Sequence, residues 1–126
     1  MQLTMMIHQN ILKYCGTAAT IWVVLIVLLF SFHAGAENVY VKYRGQVDLK
    51  SFECSDITRS SFIERVCFDK KNQYMVISLN GTYYHYCEIG SNTVSELLAA
   101  ASMGRFYNSE IKGRYDCRTH AMPSYN

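Results

Sequence analysis

The chain has 126 residues, with 12 lysines and arginines against 10 aspartates and glutamates, a formal net charge of +2. That length holds one domain. A charge so near balance argues against a partner held by electrostatics, nucleic acid above all, because such proteins carry a clear basic stripe.

The first segment reads as an export signal. Residues 1–15 contain one lysine, Lys13, and no acid, and residues 18–32 are apolar except for Thr20 and Ser31. His33 then leads into Ala34-Gly35-Ala36, a small-x-small site of the kind signal peptidase cuts, so cleavage is expected after about Ala36. A retained anchor is the alternative, but roughly 17 apolar or small residues fall short of the ~20 that span a bilayer. The expected product is 37–126, with 11 basic and 10 acidic residues (the 12 less Lys13), periplasmic or secreted, with no stable membrane span.

Residues 38–44 (NVYVKYR) alternate Val39, Val41 and Tyr43 against Tyr40, Lys42 and Arg44, a period-2 strand pattern punctuated by Gly45. Residues 46–61 show no clear period, and their serines, Asp56 and Thr58 favour turns, so they read as an ordered arm pinned by Cys54. Residues 62–68 (FIERVCF) predict a strand with Phe62, Val66 and Phe68 on one side and Glu64 as an exception. The run 69–72 is a polar turn, and residues 74–79 (YMVISL), almost wholly apolar, predict a central strand covered on both faces. Asn80-Gly81 is a type I′ hairpin signal, returning through residues 82–89.

A helix follows. Thr93-x-x-Glu96 has the spacing of a capping box, and Val94, Leu97, Leu98 and Ala101 form an apolar stripe that Gly104 is placed to end. Residues 105–111 predict a second short helical segment stopped by Gly113, and residues 119–126 a flexible tail. The predicted fold is α+β: a small three-stranded antiparallel meander with one packed helix, a short second helical segment and an N-terminal β extension. Its predicted parts are 1–36 signal peptide, 37–60 N-terminal strand and arm, 61–118 domain and 119–126 tail.

Cys15 leaves with the leader, so Cys54, Cys67, Cys87 and Cys117 remain, an even number in a small exported domain, which reads as two disulfides. A four-cysteine zinc site is disfavoured because no pair is spaced C-x-x-C, and no cofactor or metal is expected. In a meander the first and third strands lie about 9.5 Å apart, beyond the ~7 Å between Cα atoms that a disulfide tolerates. That sets Cys67–Cys87 aside and leaves 54–67 with 87–117, or 54–87 with 67–117, the first favoured by the short separation of Cys54 and Cys67.

From 61 to 115 the chain resembles the KTSC domain, a small module found at the C-terminus of some lysyl-tRNA synthetases and as stand-alone bacterial proteins. Tyr84-His85-Tyr86 matches its central Tyr-x-Tyr. Gly104-Arg105-Phe106-Tyr107-Asn108, then Ile111-Lys112-Gly113-Arg114-Tyr115, match its later motif. The resemblance implies the fold, and it carries a suggestion of RNA binding drawn from the synthetase fusion. Export and a near-neutral mature charge argue against that suggestion.

Alternation sends Tyr84 and Tyr86 one way and Tyr83, His85 and Cys87 the other. One row is expected to pack under the helix. The competing reading is an aromatic and cationic surface from Tyr84, Tyr86, His85, Arg105, Asn108, Lys112, Arg114 and Tyr115, able to stack on planar groups. His85 as the base of a weak hydrolase would need an orienting carboxylate, and the spacing supplies none. No catalytic residue is assigned. The function expected is a non-catalytic binding or structural module that recognises a protein or envelope component.

Overall fold

The run YMVISL is strand β5 (Tyr74–Leu79) in the computed structural model, which describes residues 37–125. The expected signal segment and its cleavage site lie outside the described residues. β5 is flanked by β4 (Ile63–Asp69) and β6 (Thr82–Tyr86), both antiparallel to it. Asn80 and Gly81 join β5 to β6 at φ 49° and 76°, the two positive values a type I′ turn requires.

The sheet is larger than a three-stranded meander. β1 (Asn38–Val41), β2 (Gly45–Asp48) and β3 (Glu53–Asp56) extend it to six strands in the order β2-β1-β6-β5-β4-β3. All pairs are antiparallel except β1 with β6, which are parallel where Val41 meets Tyr83. The expected arm 46–61 therefore contains two strands and a 3-10 turn, Leu49–Ser51. β3 differs from that expectation because all four of its residues are exposed, so its sequence carries no burial alternation. It is held by ladder bonds and by Cys54, which stands opposite Cys67 in register.

Connectivity forces this sheet to curl. Six flat strands would hold β2 and β3 about 24 Å apart, whereas the five-residue step from Asp48 to Glu53 reaches at most ~17 Å. The edges must come together, and they do. Val39, Val41, Val47 and Leu49 pack on Cys67, Tyr74 and Val76 inside the curl. Glu37 pairs with Arg65 of β4 across the same opening. The outer face of β4, β5 and β6 carries a second core: Val66, Phe68, Met75, Ile77 and Tyr86 under the helices. β5 is thus covered on both faces, as its continuous apolar run implied.

Glu64, the exception to the β4 pattern, is a bulge. Ile63 stands opposite Leu79 and Arg65 opposite Ser78, so Glu64 is the extra residue. It turns Ile63 onto the helix face, and its carboxylate accepts the Ser78 hydroxyl at 2.8 Å and the Gly81 N–H at 2.9 Å.

Helix α1 (Ser91–Ala99) begins at an extended Gly90 with no side-chain cap. The capping box is not formed: Thr93 lies inside the first turn, its hydroxyl 3.5 Å from the Tyr115 hydroxyl. Nor does Gly104 end the helix. The backbone turns extended at Ala100, and the Arg59 guanidinium donates to the Leu98 carbonyl and, at 2.6 Å, to that of Ala100. Gly104 instead lies within α2 (Met103–Phe106), where a Cβ would come within 2.6 Å of the Phe62 ring. α2 runs into a π-helical turn, Tyr107–Ile111. In an α-helix, residues four apart drift by about 40°. The wider turn offsets that drift and keeps Met103, Tyr107 and Ile111 buried on one side. Gly113, at φ +80°, stops it as expected.

Both disulfides follow the favoured connectivity. Cys54–Cys67 ties β3 to β4, and Cys87–Cys117 ties the end of β6 to the segment after the π turn. Residues 119–125, expected as a loose tail, return across the curl. The Tyr125 ring sits 5.8 Å from Phe52 and 5.9 Å from Tyr74, and its hydroxyl donates to Asp69 at 2.9 Å.

Candidate functional site

The outer edge of β6 is shared by two segments. Near its start, the Lys42 N–H donates to the Tyr83 carbonyl at 2.8 Å; near its end, the Cys87 N–H donates to the Tyr115 carbonyl at 2.9 Å, and Tyr86 bridges Asp116. The tip of the β1–β2 hairpin, residues 42–44, therefore abuts the tyrosine strand on one side of this edge.

Tyr43 occupies the third position of the turn closed by the Arg44 N–H on the Val41 carbonyl, at φ +67°. That is a conformation L side chains adopt at a cost and glycine adopts freely. The side chain is nevertheless there, and Tyr43 is 79% exposed; Tyr40, on the adjoining strand, is 68% exposed. The Lys42 ammonium lies over two phenol rings, 5.2 Å from the centroid of Tyr43 and 5.4 Å from that of half-buried Tyr84. Both distances fall within the range of a cation–π contact. Tyr43 first, and then Tyr84, hold the Lys42 ammonium above its ordinary range, so the site keeps its charge.

The two rows of β6 point as alternation predicts, and each runs from half-buried to buried toward the end of the strand. On the helix side Tyr86 is buried and its hydroxyl bonds that of Tyr107 at 2.6 Å. Burial first, and then Tyr107, push the Tyr86 phenol far up, and burial raises Tyr107 as well. This one hydroxyl pair joins the Tyr-x-Tyr strand to the Gly-Arg-aromatic-aromatic-Asn segment. On the inner side the His85 Nδ1 lies 3.0 Å from the Tyr74 hydroxyl. Burial and then the Arg44 charge lower the His85 pKa, with Asp116 opposing. Burial also pushes Tyr74 up to about 12. Arg44 reaches over the Tyr74 ring at 5.8 Å and donates to the Pro123 carbonyl at 2.9 Å.

The other expected surface residues lie further along the chain. Arg105, Asn108, Lys112 and Arg114 are exposed, and Arg114 pairs with Glu110 at 3.4 Å. Tyr115 is half-buried, its ring 6.4 Å from that of His120. Among the described residues no side-chain hydrogen bond, ion pair or cation–π contact joins Arg105, Asn108 or Lys112 to Tyr84. Lys42, which does contact Tyr84, and Tyr43, the other ring beside its ammonium, fall in the run 38–44 whose alternation predicts one uninterrupted strand. Gly45, immediately after them, was the available sign of a turn. Among the described residues no helix is long and apolar enough to cross a membrane.

The KTSC domain is matched at residues 59–115. Among solved structures, the chain is similar to a KTSC domain protein from Yersinia pestis, at 24% identity and a TM-score of 0.48. The match covers 52% of this chain and 92% of that one. No curated protein matches it. The Tyr-x-Tyr strand, its hydroxyl contact with Tyr107 and the glycine-bounded segment after it all fall within the matched residues. Residues 59–115 of this chain form a domain of the KTSC family.

Proposed function

We propose that this protein is a non-catalytic binding module of an oxidising, extracytoplasmic compartment, recognising a protein or envelope component through Tyr40, Lys42, Tyr43 and Tyr84. One observation carries the reading: the Lys42 ammonium within cation–π reach of both the Tyr43 and Tyr84 rings, with Tyr43 displayed from a left-handed turn. Local strain of this kind costs on the order of 1–3 kcal/mol and concentrates where a side chain is put to use. Flat aromatic faces around a fixed cation suit a planar or ring-shaped group, such as a sugar or a peptide side chain, that brings an acceptor to the ammonium. The two disulfides are compatible with the proposed compartment.

His85 supports this reading over a hydrolase. Its Nδ1 is engaged by a phenol, and among the described residues no carboxylate hydrogen-bonds its ring to orient it as a base. The test is recovery of partners from an envelope fraction by the full chain and by a Tyr43→Ala, Tyr84→Ala variant. Loss of a specific partner with the variant is the expected result; equal recovery overturns the proposed surface. Binding to single-stranded RNA that falls steeply with salt would instead return the nucleic-acid reading.

A further inference from the structure

We infer that His85, Cys87 and Cys117 become a site for a divalent cation of the zinc class when the Cys87–Cys117 disulfide is reduced. One ring nitrogen of His85 and the two sulfur atoms all lie within 4.8 Å of one another. The fold creates the trio twice over. Residues 85 and 87 share the inner side of β6 by alternation, and the segment bonded to the β6 edge at Cys87 N–H and Tyr86 brings Cys117 alongside. Tetrahedral zinc with Zn–S of about 2.3 Å and Zn–N of about 2.0–2.1 Å spaces its ligands roughly 3.4–3.8 Å apart. The histidine nitrogen stands within 4.8 Å of both sulfurs, so it closes by about 1 Å at most, and the sulfurs part by side-chain rotation over backbones 4.9 Å apart.

The surroundings suit a ligand set. Histidines that bind metals are oriented by a partner on the other ring nitrogen, and the Tyr74 hydroxyl at Nδ1 fills that role, while among the described residues no hydrogen bond occupies Nε2. Burial and the Arg44 charge favour the neutral ring, the form that coordinates. Both cysteines are buried. Arg44 opposes a second cation nearby, while the two thiolates and the Asp116 carboxylate favour one. Three ligands leave a fourth position for water or a small ligand. This is not the four-cysteine site that the sequence spacing argued against, since Cys54 and Cys67 take no part.

The redox step balances with a trialkylphosphine: the disulfide takes up two electrons and two protons to give two thiols, and the phosphine becomes its oxide with oxygen from water. Zinc binding then displaces the two thiol protons. The disulfide and the metal are thus alternative occupants of one place.

The experiment uses the full chain carrying Cys15→Ser, Cys54→Ser and Cys67→Ser, reduced with a trialkylphosphine and titrated with Co2+, then Zn2+. The expected result is one Co2+ per chain with a thiolate-to-cobalt charge-transfer band, displaced by one equivalent of Zn2+. Adding His85→Ala should weaken binding by at least about tenfold. No band, or a band of unchanged affinity without His85, overturns the proposal. If circular dichroism shows that reduction unfolds the chain, refolding on addition of Zn2+ supports the site, because metal binding then drives folding. Failure to refold overturns it.

Discussion

Tyr43 and His85 are the residues at which local chemistry departs most from its ordinary setting. At Tyr43 the left-handed backbone has no steric compensation in an exposed side chain. Tyr43→Gly should therefore be more stable than Tyr43→Ala by about 1 kcal/mol, measured by denaturant unfolding, while both lose the proposed ligand. Equal stabilities would mean that the turn relaxes. At His85, burial and the Arg44 charge favour the neutral ring in the folded state, so the folded pKa lies below the unfolded value of about 6.5. The unfolded chain then binds more protons. The stability that His85 contributes is fully present above about pH 6.5 and is lost as pH falls through the depressed folded pKa. Unfolding midpoints measured between about pH 7.5 and 5 should decline, and His85→Gln should flatten that decline.

Among the elements, the strands with a repeating covered face were legible, whereas β2, with Val47 alone buried, and the wholly exposed β3 were not. β5 and β6 could be read because Tyr74 to Leu79 is apolar throughout and Asn80-Gly81 names its own turn. β3 (Glu-Cys-Ser-Asp) has no buried side to alternate against, and only its cysteine hinted at a neighbour. The ends of α1 show the same limit. Thr93 and Gly104 have the right residue types for caps, but tertiary contacts claim both, Tyr115 for the first and Phe62 for the second. The surface site was half legible: Tyr84 lies in a recognisable strand, whereas Lys42 and Tyr43 reach it only through the parallel pairing of β1 with β6, which no local pattern encodes. The cap that does operate, Arg59 on the carbonyls of Leu98 and Ala100, comes from some forty residues away. Arg59→Ala should cost about 1–2 kcal/mol, since hydrogen bonds to charged groups contribute at that level. Hydrogen exchange should quicken in α1 and leave β5 unaffected.

For the molecule as a whole, the disulfides and the curl divide the work. Cys54–Cys67 closes 13 residues and Cys87–Cys117 closes 30. On the chain-entropy account each contributes about 3 kcal/mol or somewhat more, the longer loop exceeding the shorter by roughly 0.7 kcal/mol. Replacing either pair with serine should lower the unfolding midpoint, and Cys87→Ser, Cys117→Ser should lower it more. The KTSC match begins at 59, so the Val39, Val41, Val47 and Leu49 side of the inner core is supplied by chain outside the matched segment.

The short step from β2 to β3 has a consequence for proteolysis. It carries exposed Lys50, and both disulfides lie wholly on its C-terminal side. A single cut after Lys50 would sever every covalent tie between the first hairpin and the rest. Brief trypsin treatment of the oxidised protein should release a fragment ending at Lys50 without reductant, and release should uncover Tyr74 and Val76 to a hydrophobic dye. A hairpin that stays bound after the cut would show that noncovalent packing alone holds the curl shut. If it leaves, one peptide bond in an exposed turn is the latch on the interior and on the display of Tyr43 beside Tyr84.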